Sequence, residues 1–200
     1  HNDLLKGTEF LGELIDSAMN HQPLNLLYRT FAGNERTTTI HPYHIKQFNG
    51  RWFLIGLQEG NHGNYITNKA LDRIVKFSRA HVPFIPNTEI DFNEYFKDVV
   101  GVTLPEEHPM SEEVLLKFDE SRFPYVVNKP IHPSQETADE QEHIIRLTVR
   151  PNKELEARIF SYGNQVEVLK PEWLRKQIAE KLQEILKKYA SVQEDCNIVR

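Results

Sequence analysis

From residue 24 to residue 81 the chain strings together four strand-like runs, LNLLYRT, ERTTTIHPYHIKQF, RWFLIGL and DRIVKFSRA, separated by AGN, NG and EGNHGN, each rich in turn formers. No helical periodicity intervenes. Four or five strands so closely spaced pair antiparallel, because a parallel pair needs a crossover of roughly a dozen residues or more. The stretch RWFLIG, residues 51–56, narrows the choice further. Trp52 and Phe53 point to opposite faces of a strand, so this strand is apolar on both sides. A small barrel meets that demand: one face fills the interior and the other packs on a neighbouring element. Pro42 cannot donate to a central ladder and marks an edge, bulge or corner in the second run.

The flanking segments read differently. Residues 8–20, TEFLGELIDSAMN, place Phe10, Leu11, Leu14, Ile15 and Ala18 at helical spacing behind Thr8, the expected N-cap. Residues 83–110 form a proline-bounded, acidic linker with a short helix around NEYFKDV. A second module follows over 111–190. EEVLLKFD, HIIRLTVR and NQVEVLKP read as strands, and ESRFPYVVN as a short helix or loop broken at Pro124. NKELEARIFSYG reads as a helix closed by Gly163, and PEWLRKQIAEKLQEILKKYA as a long helix begun near Pro171. With 132–143 open between strand and loop, this succession predicts a split βαβ sandwich. The fold class is therefore α+β: an N-terminal helix and linker over 1–23, a small β-barrel over 24–82, a linker over 83–110, a ferredoxin-like α/β sandwich over 111–190 and a tail over 191–200.

With 200 residues, 39% of them hydrophobic, the chain can bury one ordinary core or two small ones. No apolar stretch approaches the roughly 18 residues of a membrane span and no signal segment opens the chain, so no membrane partner is expected. The chain starts at His1 rather than methionine, which reads as a piece of a longer protein. The one cysteine, Cys196, lies in a polar tail and can form neither an internal disulfide nor a thiolate cluster, pointing to a reduced, cytoplasmic setting. Signatures of hydrolases, phosphate-binding loops, dinucleotide folds and zinc peptidases are missing, so the expectation is a non-enzymatic protein with no cofactor and no metal. In His41-Pro42-Tyr43-His44 the two imidazoles face opposite sides of a regular strand and cannot share a metal unless the proline bulges the backbone. Asp72, beside Arg73, reads as an ion-pair or turn residue.

What remains is a segregation of charge. The formal net charge is −5, yet residues 24–81 carry eight Lys/Arg against three acids, while residues 82–143 carry four against fourteen. The aromatic-rich segment is the basic one, interleaving Tyr28-Arg29, His41, Tyr43, Lys46, Arg51-Trp52-Phe53, Lys69 and Arg73. Aromatic faces that stack bases, beside cations that meet phosphates, are how strand-rich barrels hold nucleotides and single strands. The competing reading makes the same aromatics core residues and the module a structural or protein-interaction unit.

The run HPYHIKQFNGRWFLIGLQEG with ALDRIVKF resembles the WYL domain of bacterial regulators, named for a Trp-Tyr-Leu triplet that here reads Trp52-Phe53-Leu54. LIDSAMNHQPLNLLYRTF resembles that domain's helix and first strand, NEYFKDVVGVT its connector, and 111–190 the C-terminal extension commonly paired with it. The resemblance implies an Sm-like, SH3-type barrel acting as the sensor of a transcriptional regulator. It further implies a homodimer with a DNA-binding helix-turn-helix ahead of this stretch, and a nucleotide or single-stranded nucleic acid as effector. By motif match the ligand-facing residues are Tyr28, His41, Tyr43, Arg51, Trp52 and Arg73. Two departures stand out: Phe53 lacks the family tyrosine's hydroxyl, and Ala70 stands where a basic residue is common, with Lys69 adjacent.

Overall fold

The computed structural model describes residues 7–195, with side chains to residue 190; Cys196 lies outside the described residues. The chain forms two units, His1–Phe96 and Lys97–Arg200.

In the first unit a 3-10 turn, Thr8–Phe10, leads into α1 (Leu11–Met19). Thr8 sits inside the turn and the N-cap position belongs to Gly7. There φ is +84° and a Cβ would lie 2.3 Å from the Leu71 backbone, so only glycine fits. Five strands follow: β1 (Leu24–Arg29), β2 (Glu35–Phe48), β3 (Arg51–Gln58), β4 (Tyr65–Ala70) and β5 (Ile74–Arg79). They form one antiparallel sheet in the order β4-β3-β2-β1-β5. The YITNKA strand, β4, escapes sequence reading because its inward positions are polar. The long β2 pairs with β1 through residues 35–40 and with β3 through 40–48, and its register shifts between Pro42 and His44. Proline thus marks a bulge that bends the strand. Opposite Pro42 stands Gly56, whose Cβ would lie 2.3 Å from the His41 carbonyl oxygen; the bend needs a residue without a side chain here.

The expected barrel is not closed. β4 and β5 are the two edges of the sheet, and a 3-10 turn, Leu71–Arg73, carries the chain from one to the other without a ladder between them. Leu14 of α1 fills the interior with Leu24, Leu26, Ile40, Leu54, Leu71 and Ile74, and Trp52 and Tyr28 pack at its margin. Each such aliphatic side chain contributes about 1.5–3 kcal/mol by leaving water. The opposite face of β3 is covered from outside. The cross-strand neighbours of its Phe53, Ile55 and Leu57 are Lys46, His44 and His41. Phe84 packs on His41, Phe92 stacks on His44 at 5.3 Å, and Lys46 sits over the Phe96 ring. The segment 84–96, including α2 (Phe92–Tyr95), is therefore the neighbouring element that the two-faced strand requires.

The second unit contains β6 (Glu112–Phe118), α3 (Phe123–Asn128), β7 (Glu136–Asp139), β8 (Ile144–Val149), α4 (Lys153–Phe160), β9 (Val166–Lys170) and α5 (Glu172–Asp195). Its sheet is antiparallel in the order β7-β8-β6-β9. Val114, Leu116, Ile145, Leu147 and Val149 are buried, with Leu155, Ile159, Leu174 and Ile178 from the helices. Pro124 begins α3 instead of breaking it, since a first-turn proline sacrifices no helical hydrogen bond. Asn152 caps α4 through the Leu155 amide. The stretch 83–110 is divided between the units: beyond Phe96 it joins the second, where Asp98 pairs with Arg150 at 2.6 Å and Val100 and Val102 are buried. Hydrogen bonds from Ser111 and Arg150 outweigh desolvation and hold the Asp98 carboxyl below its ordinary pKa.

Candidate functional site

Tyr28 ends the inward row of β1, and the turn Leu71–Arg73 brings Arg73 beside it. The Arg73 guanidinium lies 4.9 Å from the Tyr28 ring centroid and the Lys69 ammonium lies 4.9 Å from the same ring. Arg73 also lies over Phe31 at 3.6 Å, and its Nε donates to the Arg29 carbonyl. Phe31 is 90% exposed in the β1–β2 turn. Lys69 reaches this cluster because it faces inward, opposite Leu54, whereas Ala70 faces outward opposite Phe53. Lys69 and Ala70 therefore present their side chains to opposite faces of β4. The Tyr28 hydroxyl accepts from the Ala70 amide at 3.2 Å, and burial raises its pKa. Burial, then the charge of Arg73, lowers that of Lys69. Among the described residues no carboxylate lies within ion-pair distance of Lys69 or Arg73. Two cations close to one aromatic ring, with an exposed phenyl ring alongside, can attract an anion and offer a stacking surface together.

Arg51 and Trp52 adjoin this end of the sheet from β3. Arg51 forms a bidentate pair with Asp72, its Nη2 donating to Oδ1 at 2.8 Å and its Nε to Oδ2 at 3.2 Å. Asp72 therefore answers Arg51 across the sheet, not its chain neighbour Arg73. Trp52 is half-buried against the core.

His41 and Tyr43 stand elsewhere. His41 is fully buried: Nδ1 accepts from the Ile85 amide, so Nε2 carries the proton and donates to Glu59 at 3.1 Å. Tyr43 donates to the Ile85 carbonyl at 2.8 Å and packs edge-on against Phe84. Together they clamp residues 84–85 onto β2. The bulge turns His41 and His44 to one face, but among the described residues no group of three or more His, Cys, Asp or Glu could hold a metal ion. Sequence reading overlooked Phe31, which lies in a turn, and had no means to see that 84–85 is the partner of the HPY stretch.

Fold and site define a two-unit α+β protein whose first unit carries a cationic, aromatic rim. Residues 9–77 match the WYL domain and residues 111–186 the WCX domain, so the chain carries one domain of each kind. No curated protein matches it. Among solved structures it is similar to a CRISPR Cas-related protein, with 11% identity and a TM-score of 0.55 over 92% of this chain and 52% of that one. Proteasome accessory factor B/C (PafBC) of Arthrobacter aurescens is 20% identical, with a TM-score of 0.38 over 86% of this chain and 26% of that one. The chain thus spans about half of the length of the first of these structures and about a quarter of the second. No helix among the described residues is long and apolar enough to cross a membrane.

Proposed function

We propose that this chain is the effector-sensing and dimerisation region of a transcriptional regulator, non-enzymatic. In this reading its first unit is an Sm-like barrel left open between β4 and β5, and its second a ferredoxin-like sandwich. The effector is a nucleotide or a single-stranded nucleic acid. One observation carries the reading: Lys69 and Arg73 both lie over the Tyr28 ring, and neither has a carboxylate partner among the described residues. A bound phosphate would supply the missing negative charge, and a base would stack on Phe31 or Tyr28. Trp52 flanks this site. Arg51 contributes by exchanging Asp72 for phosphate, while His41 and Tyr43 act indirectly by holding residues 84–85.

The experiment is fluorescence-anisotropy titration of labelled short single-stranded DNA and RNA across a salt series, with an Arg73→Ala/Lys69→Ala variant alongside. Expected is saturable binding that weakens with salt, and a salt slope shallower by about two phosphate contacts in the folded variant. Undiminished binding by the variant refutes the site, and no binding at low salt refutes the nucleic-acid reading. A second reading, a protein-interaction module without its own ligand, draws on the Arg51–Asp72 pair and on the internal partners of His41 and Tyr43. It gains if wild type fails that titration.

A further inference from the structure

The inward face of β2 continues past the end of β3. Because the β2–β3 ladder begins at Ile40 and Gln58 and the Glu59 amide still donates to the Thr39 carbonyl, only residues 36–38 are paired with β1 alone. Beside them a cleft of about 870 Å³ opens, walled by Arg36, Thr38, Gln58, Tyr65 and the glycine-bearing loop 59–64. Most of the wall is neutral and hydrogen-bonding, unlike the cationic rim described above.

Two buried groups in this wall lack partners among the described residues. Gln58 is only 7% exposed; its Nε2 donates to the Tyr65 hydroxyl and its Oε1 has no partner. Turning the carboxamide over gives Tyr65 a carbonyl to donate to and leaves the NH2 group without a partner, so either orientation strands one polar atom. Thr38 Oγ1 is likewise buried without a partner. Buried amides and hydroxyls are ordinarily satisfied, because desolvating one without replacement is costly. Arg36 stands exposed at the mouth, and its cross-strand neighbour is Tyr28.

We infer that this cleft is a base-reading subsite, in which Gln58 and Thr38 hydrogen-bond the edge of a nucleobase and Arg36 meets an adjoining phosphate. The inference rests on the sensor reading and deepens it. A carboxamide beside a hydroxyl offers the donor–acceptor pattern by which base edges are told apart. Through Arg36 the cleft adjoins Tyr28 and hence the Lys69–Arg73 rim. Binding strength then comes from the cations, and selectivity from Gln58 and Thr38. A mononucleotide and a base within a single strand share this chemistry.

The test titrates the full chain with labelled homo-oligomers of each deoxynucleotide and with an abasic oligomer, and competes them with the corresponding mononucleotides. One base is expected to bind about fivefold or more tightly than the others and than the abasic strand. Gln58→Met and, separately, Thr38→Val should shrink that preference to about twofold or less while leaving the salt slope unchanged. Circular dichroism verifies folding, and Thr38→Val carries the test should Gln58→Met unfold. Competition by a mononucleotide of the preferred base assigns the effector to free nucleotides; failure to compete assigns it to strands. Equal binding of every base and of the abasic strand, still sensitive to Arg73→Ala, overturns the subsite and leaves the sensor reading standing. A base preference that survives both variants overturns it too, and no binding of any probe at low salt overturns both.

Discussion

At the scale of single residues, Lys69 is the most informative side chain in the first unit. Its neighbours on β4 give no hint that an ammonium will face inward, yet the register opposite Leu54 aims it at the Tyr28 ring. Burial, and then the charge of Arg73, lower its pKa below the ordinary 10.5. Between that lowered value and 10.5 the unfolded chain binds more protons at this position than the folded one, so the Lys69 contribution to stability rises with pH across that window. A bound phosphate acts in the opposite sense: it favours the ammonium, restores the pKa and draws in a proton. Anion affinity should therefore fall as pH climbs from neutrality through the lowered pKa, and Lys69→Met should flatten that profile. Anisotropy titrations in a series of alkaline buffers check this; parallel profiles for wild type and variant would remove Lys69 from the site. Tyr28 and Arg73 were legible from sequence as an aromatic and a cation near strand ends. The inward aim of Lys69 was not, because it depends on register.

At the scale of elements, β2 decides the architecture of the first unit. A fourteen-residue strand cannot serve β1 with one half and β3 with the other unless it bends, and the shift between Pro42 and His44 is where it does so. Gly56 makes room on the facing strand. Gly56→Ala should push its new methyl into the His41 carbonyl oxygen, now 2.3 Å from the ideal Cβ position, and destabilise the protein by about 1–3 kcal/mol. Urea denaturation followed by tryptophan fluorescence would measure it, since Trp52 packs at the margin of that core. A variant as stable as wild type would mean that the bend does not require glycine. Sequence reading located the bulge, because proline is a local signal, but missed β4. In YITNKA the inward positions are Tyr65, Thr67 and Lys69, so the alternation that betrays a half-buried strand is missing.

At the scale of the whole molecule, each unit has its own sheet and its own buried aliphatic core. Assembly points to the distal half of α5. Leu174 and Ile178 are buried in the second unit, whereas Leu182, Ile185, Leu186 and Tyr189 continue the same apolar series in the open, at 50%, 39%, 68% and 74% exposure. Along this stretch Glu180, Lys181 and Glu184 precede Lys187 and Lys188. This is the surface the proposed homodimer is expected to use. Leu186→Lys combined with Leu182→Glu should shift the protein toward monomer in sedimentation equilibrium, leaving its circular dichroism unchanged. A dimer that persists would move the interface elsewhere.

By itself the sequence determined the antiparallel character of residues 24–79, the helix 11–19, the second sheet with its long final helix, and a surplus of cations among the aromatics. These depend on local periodicity, turn chemistry and composition, which act over a few residues. Only tertiary structure decided that β4 and β5 stay unpaired, that Arg51 takes Asp72 while Arg73 takes Tyr28 and Phe31, and that His41 and Tyr43 clamp residues 84–85. Those outcomes depend on register and on which distant segments meet. A one-residue slip reverses the face a side chain presents, and a partner more than forty residues away leaves no mark on the local pattern.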